Sequence, residues 1–469
     1  MNEVYLVVPL ILVVVVLVAA LLDRWSVPVI LIALGAGIIF GSDVLSLWDF
    51  SDVALTNQVA NMALVFILFQ GGFSTRRENF RAVALPAGGL ATWGVVLTAL
   101  VTFLVTWGVL GWQLEKAVLL AVVVSSTDAA ATFSILRRQS LSSKLSSTVE
   151  VESAANDPMA ILLTLAAIQA FTAGGTQWYF VVLSFIWKFA AGIGAGAVLG
   201  WAAIWLFNRL RPQDRGHYYV LTLGVVLLIF GLAELAHSSA MLAVFIAGYV
   251  MGNQPFVHKQ GVANFVSALS TVADTSMFVL MGLLVYPHQW SGLWLQGIVL
   301  FLVLSFVARP VAVWLGTLGM RLRSKNKLFI SWAGLRGAVP IILATYPMAA
   351  GLEGGQEVFN LVFFVVMLSV AIQGSTLGIV ARWLGLSTKA RPKPLYNLEL
   401  VTMAKSDMDL IVVDMPGPQG AAGPRIADLK LPPRLCHHAH HARQRGNCTQ
   451  RRHPATRMGP DNCAGTRQG

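Results

Sequence analysis

The chain has 469 residues, 56% of them hydrophobic and only 12% charged, with a mean hydropathy of +0.69 and a formal net charge of +11. A soluble domain carries about twice that charged fraction. Repeated apolar runs of roughly 20 residues exclude a soluble fold and predict an all-α polytopic membrane protein.

Thirteen spans are expected in chain order, near 4–22, 27–41, 54–71, 83–108, 114–137, 148–173, 178–208, 217–236, 239–252, 265–286, 293–322, 328–350 and 357–383. The first lacks the basic start and small-residue cleavage site of a signal peptide, so it reads as a permanent span. Loops after odd-numbered spans carry Arg24, Arg76, Arg77, Arg81, Arg137, Arg138, Lys144, Arg209, Arg211, Arg215, Lys259, Arg321, Arg323, Lys325 and Lys327. Arg382, Lys389, Arg391 and Lys393 follow the last span. Loops after even-numbered spans offer Lys116 alone, and hold Asp49, Asp52, Glu353 and Glu357. The positive-inside rule then puts the N-terminus outside and the C-terminus in the cytoplasm. The positive charge is mostly topological, with no nucleic-acid signature.

Ionisable groups inside spans are costly unless paired or hydrated, so each is a functional candidate. Asp128 lies in span five, in "VVVSSTDAAATFSIL". Span six opens with "VESAANDPMA". Helical spacing puts Glu152 and Asn156 on one face, and Ser153 and Asp157 on the adjacent face. Pro158 cannot donate to the Ala154 carbonyl, which is left for another partner. For Glu150 the plainer reading is an acid near a helix N-terminus outside the membrane. Lys188 lies in span seven, where it snorkels or meets an acid. Gly192, Gly196 and Gly200 in that span form a smooth packing face, with a dimer panel as one candidate location. Trp107 and Trp112 are candidate interface anchors around span four, where Trp93 also lies. Asp274 lies in span ten, where it lines a cytoplasmic funnel or pairs with a neighbour. Arg309 lies in span eleven, and Arg336 in span twelve, in "SWAGLRGAVPIIL".

"SSTDAAAT" and "AGLRGAVP" are both poor helix, so spans five and twelve are expected to be interrupted. Two broken helices in opposite halves of a chain point to a midplane ion site. Their free ends carry partial charges of opposite sign, which an acid and an arginine neutralise.

The segments "SSTDAAATFSIL", "ESAANDPMAILLT" and "FISWAGLRGAVPIILATYPMAAGLE" resemble the CPA1 monovalent cation:proton antiporters. Among these the chain is most similar to bacterial cell-volume-regulation potassium/proton antiporters. The resemblance covers the first span to about residue 390 and implies an antiporter fold with inverted repeats and two crossing broken helices. It further implies a six-helix core moving against a dimerisation domain, in a homodimer of the bacterial inner membrane. Asp157 would be the carboxylate that binds cation or proton, with Thr127 (through its backbone carbonyl), Asp128 and Ser153 completing the coordination. Glu152 would pair with Arg309, Asn156 would hydrogen-bond to Glu152, and Arg336 would compensate helix dipoles at the crossing. The implied function is electroneutral exchange of potassium or sodium for protons, with no cofactor and no resident metal. A cation channel is the alternative, but the carbonyl-lined filter loop it needs is absent from the sequence. No Gly-x-Gly-Asp, Ser/His or His-Glu-x-x-His signature of an intramembrane hydrolase occurs either.

Residues 1–390 are expected to form the exchanger domain. Residues 391–433 read as a cytoplasmic linker and the cut-short start of a regulatory domain. Residues 434–469 hold all three cysteines and five of the nine histidines, in a basic tail expected to be unstructured or frame-shifted. A metal site from Cys436, His437, His438, His440, His441, Cys448 and Cys463 is the competing reading, but their spacing matches no compact ligand pattern.

Overall fold

The computed structural model describes residues 2–22, 28–41, 53–128, 132, 141–172, 178–210, 214–320 and 322–387. Arg24, Asp49, Asp52, Arg137, Arg138, Arg211, Arg321, Lys389, Arg391 and Lys393 lie outside the described residues, as do the segments 391–433 and 434–469.

Among the described residues the fold is helical, and the one β-bridge, Leu141 to Ser387, is isolated. The chain runs through α1 (Asn2–Leu22), α2 (Val29–Phe40) and α3 (Val53–Ser74). Next, α4 (Arg77–Gly89) continues through a π turn, Leu90–Gly94, into α5 (Val95–Gly108). After α6 (Leu114–Val123) come the long α7 (Ser143–Thr172) and α8 (Trp178–Arg209). Then follow α9 (Gly216–Leu235), α10 (Ala240–Gly252) and α11 (Lys259–Leu283). A second π turn, Leu304–Ala308, joins α12 (Trp294–Val303) to α13 (Arg309–Gly316). Helices α14 (Ser324–Trp332) and α15 (Ala338–Ala349) flank a non-helical gap. A third π turn, Ser369–Gly374, joins α16 (Gly355–Leu368) to α17 (Ser375–Trp383). Among the described residues, eight helical stretches, three of them running through a π turn, are long and apolar enough to cross a membrane, and four shorter helices are also apolar.

Several helices begin before the apolar runs that announced them. The sixth span was expected from residue 148, whereas α7 starts at Ser143. Glu150 is therefore past the first turn, where it accepts from Ser146 Oγ at 2.6 Å rather than serving the helix N-terminus. The tenth span was expected from 265, whereas α11 starts at Lys259. Hydropathy reports the depth of hydrocarbon, and a helix continues beyond it as long as its backbone bonds are made.

Helices α2, α3, α8, α10 and α11 pack closely along one another, with α10 between α3 and α8. Glycine permits this closeness. A Cβ on Gly252 would lie 2.0 Å from the Phe73 carbonyl oxygen, and one on Gly196 would lie 2.4 Å from that of Ala243. The stripe of Gly192, Gly196 and Gly200 is such a packing face, and the helix it meets is α10.

His258 sits in the left-handed region ahead of α11, at φ 61°. Its ring centroid lies 5.2 Å from that of Tyr218 and 5.8 Å from that of Tyr219, and its buried Nε2 has no hydrogen-bond partner. Burial first, then the Arg215 charge, holds its pKa below 6.5. The unfolded chain therefore takes up the proton first as pH falls. The neutral ring's contribution to stability is fully present above about pH 6.5 and is lost as pH drops toward the folded pKa. His258→Asn, which tolerates the left-handed backbone, is expected to flatten the loss of thermal stability on the acid side of neutrality. Parallel acid-side losses in parent and variant would rule His258 out as the cause.

Candidate functional site

The site begins with two failures of helix. After Val123 the chain reads Val-Ser-Ser-Thr-Asp, whose short polar side chains compete for backbone bonds. Ser125 Oγ, for example, donates to the Val122 carbonyl at 2.6 Å. After Trp332 it reads Ala-Gly-Leu-Arg-Gly, with glycines that weaken a helix interior. The two irregular segments cross, and Asp128 N donates to the Leu335 carbonyl at 2.8 Å.

Each break exposes orphan backbone groups, and each receives a charge of the opposite sign. The Arg336 guanidinium donates to the carbonyls of Ser125 (at 2.9 Å) and Ser126, at the C-terminal end of α6. Asp128 Oδ2 accepts from Ala338 N at 2.9 Å, at the N-terminus of α15. A Cβ on Gly337 would lie 1.6 Å from that same carboxylate oxygen, so only glycine allows the contact. Arg336 is held from behind, its backbone N–H donating to Ser369 Oγ at 3.0 Å within the third π turn.

Helix α7 faces this crossing with Glu152, Ser153, Asn156 and Asp157, all at most 3% exposed. Arg309 Nη2 donates to both oxygens of Glu152, at 2.8 and 2.9 Å. The second π turn delivers Arg309 there. Pro310, next in sequence, cannot donate to the Phe306 carbonyl, and the helix widens just before it. A Cβ on Gly334 would lie 2.2 Å from Arg309 Nε.

Asn156 Nδ2 donates to Glu152 Oε1 at 3.1 Å and to Thr127 Oγ1, while its Oδ1 accepts from Thr127 N at 3.4 Å. The hydroxyls of Thr127 and Ser153 lie 3.1 Å apart. All eight residues singled out from the sequence thus converge on the crossing: Thr127, Asp128, Glu152, Ser153, Asn156, Asp157, Arg309 and Arg336.

Asp157 differs from the other charges there. Glu152 has Arg309, Asp128 has the α15 terminus, and Arg336 has the α6 terminus. Asp157 Oδ1 is buried with no hydrogen-bond partner, within electrostatic reach of Asp128 and Glu152. An open, buried carboxylate oxygen can take a proton or a hard monovalent cation, since such cations prefer oxygen ligands. Asp274 of α11 also has a buried, unpartnered Oδ1, and the charge of Asp128 reaches it.

One polar cluster escaped the sequence reading. Asn57 and Asn61 of α3 bond to Thr345 and Tyr346 of α15. The available signal was the four-residue spacing of two asparagines in "LTNQVANMAL", an otherwise apolar run.

The family described as "Sodium/hydrogen exchanger, transmembrane" matches residues 10–383. The chain is similar to the K(+)/H(+) antiporter NhaP2 of Shewanella sp. (strain ANA-3), with 35% identity over 434 residues, 92% of this chain and 75% of that one. It is also similar to the Na(+)/H(+) antiporter NhaH of Halobacillus aidingensis, with 31% identity over 315 residues, 64% of this chain and 76% of that one. Among solved structures, the sodium proton antiporter MjNhaP1 from Methanocaldococcus jannaschii superposes with a TM-score of 0.72 at 22% identity, covering 81% of this chain and 99% of that one.

Proposed function

The chain belongs to the sodium/hydrogen exchanger family of CPA1 monovalent cation:proton antiporters, and on that premise we propose that it exchanges potassium for protons through competition at Asp157. The observation that carries this reading is the buried Asp157 carboxylate, with Oδ1 free of any hydrogen bond beside a charge-compensated helix crossing. Potassium is favoured over sodium because the NhaP2 relatives are K(+)/H(+) antiporters by name.

The cycle follows from charge. A bare carboxylate in hydrocarbon is costly, so the carrier crosses loaded with a proton or a cation and does not cross empty. Thr127 and Ser153 supply neutral oxygens to the cation. Asp128 stays ionised against the α15 terminus, and Asn156 does not titrate. The loaded site therefore carries the same net charge in both directions.

The same proposal covers the architecture. Thirteen crossings put the N-terminus outside and the C-terminus in the cytoplasm of a bacterial inner membrane. Inverted repeats are supported by a shared order of irregularities: π turn Leu90–Gly94 then the break after α6, and π turn Leu304–Ala308 then the break after α14. A core containing α4–α7 and α12–α17 moves against a dimerisation panel of the remaining helices, in a homodimer. Residues 391–433 and 434–469 lie beyond the transporting unit.

The test is dequenching of a pH-sensitive dye in everted vesicles, with potassium, sodium, lithium and rubidium added in turn. Potassium is expected to give the largest signal. Because the exchange moves no net charge, an imposed potential, worth roughly 2.3 kcal/mol per elementary charge per 100 mV, should leave the rate unchanged. A rate that climbs with voltage would bring Asp128 or Asp274 into the cycle, and an uncoupled current would mark a channel.

A further inference from the structure

A cluster of neutral polar side chains joins α3 to α15 two turns from the helix crossing. Asp128 caps the start of α15, and the helix runs from that crossing to Ala349. Two turns along it, Thr345 is fully buried, and Tyr346 follows directly. Opposite them stand Asn57 and Asn61, one turn apart on α3.

These four side chains make one directed chain of bonds. Tyr346 Oη donates to Asn61 Oδ1. Asn61 Nδ2 donates to Asn57 Oδ1 at 2.8 Å, and Asn57 Nδ2 donates to Thr345 Oγ1 at 2.7 Å. Thr345 Oγ1 closes the chain by donating to the Ile342 carbonyl of its own helix at 2.7 Å. Two of the links join α3 to α15, the bond between them runs along α3, and the last bond runs along α15. An ordinary packing seam between these helices would be apolar, because polar groups in hydrocarbon demand partners. Here neutral polar groups lie in register on two helices that belong to different packing sets.

We propose that Asn57, Asn61, Thr345 and Tyr346 form the seal that closes the cation site toward the side on which α15 ends, and that both α3–α15 links part when the site opens there. The positive-inside reading makes that side the exterior, so the structure represents a state closed to the outside. The proposal rests on the antiport reading above and adds the gate to it. Neutral partners suit this task. They hold the closed state by hydrogen bonds that water replaces on opening, and they bring no fixed charge into the cation's path. A polar lining also lets a partly hydrated cation pass once the helices separate.

The test joins the two helices reversibly. Cys436, Cys448 and Cys463 are replaced by serine, Asn57→Cys and Thr345→Cys are combined, and the protein is reconstituted in proteoliposomes. With the thiols reduced, potassium/proton exchange is expected to persist. Joining them by oxidation or with a short bis-thiol reagent is expected to lower exchange at least about tenfold, with recovery on reduction, because a state the cycle must visit is removed. Exchange that continues unchanged across the joined pair overturns the proposal. So does a failure of the thiols to join, because the helices then do not approach. In a second arm, Asn61→Ala with Tyr346→Phe weakens the seal without a covalent link. Shifting the balance of states toward the outward-open one should tighten half-saturation on the outer face relative to the inner by about threefold or more. No shift in that ratio contradicts the seal. A parent protein that shows no exchange at all sinks the antiport reading instead.

Discussion

Asp157→Asn is expected to bring cation/proton exchange down to the level of protein-free vesicles. The substitution keeps the shape of the side chain in a site with no room to spare, because Asp157 is 3% exposed and flanked by fully buried Asn156 and Ser153. It removes the titration and the negative charge together. An amide neither releases a proton nor neutralises a dehydrated cation, so both halves of the cycle fail at once. The neighbouring acids do not substitute. Glu152 is occupied by Arg309, and Asp128 by the α15 terminus. Asp157→Glu keeps the chemistry but displaces it by one methylene, so partial exchange with a displaced pH optimum is expected. Flux in reconstituted vesicles, normalised to protein incorporated, decides the matter. An Asp157→Asn variant that exchanges at the parental rate would move the site elsewhere, with Asp274 as the next acid to examine.

The second large effect falls on stability. Arg309 and Glu152 are 2% and 0% exposed, and Arg309 Nη2 bridges both carboxylate oxygens. Removing one member of such a pair strands the other charge away from water, at a cost of about 3–5 kcal/mol. Arg309→Ala and Glu152→Gln are each expected to lower the midpoint of thermal unfolding in detergent strongly. Replacing both partners with neutral side chains of similar volume should recover most of that loss, because no charge is then left alone. Asn156 shares Glu152 Oε1 with the arginine, so Asn156→Ala should show a smaller loss of the same kind. Single variants that unfold with the parent would mean that the pair contributes nothing to the fold.

Much of this site was legible because membranes make polarity expensive. In "SSTDAAAT", "VESAANDP" and "AGLRGAVP" the polar and helix-breaking residues stand out against apolar surroundings, and helices α6 and α14 do stop beside the first and last of these words. Helix ends were less legible. Ser143 to Thr148 is too polar to register as a span, yet its backbone completes the first turns of α7. The π turns were invisible, because widening by one residue leaves no mark on composition. Only Pro310 hints at one of them. The direction in which glycines face was also out of reach. A stripe such as Gly192, Gly196 and Gly200 signals close approach without naming the helix approached, which is α10. Asn57 and Asn61 were passed over because neutral amides in a span read as packing until a partner helix is known. Neutral residues close to a charge in sequence, such as Thr127, Ser153 and Asn156, are legible with it, whereas Asn57 and Asn61 have no charged neighbour in their span to mark them.

Competition of proton and cation for one carboxylate can be read from initial exchange rates measured across a grid of potassium concentration and pH. In proteoliposomes, lowering pH on the cation-loading face should raise the half-saturating potassium concentration, approaching about tenfold per pH unit once the carboxylate is mostly protonated. The maximal rate should stay constant, because enough cation always displaces the proton. A maximal rate that falls with pH while half-saturation stays put would mean that proton and cation bind at separate places, and the single-carboxylate account would be wrong.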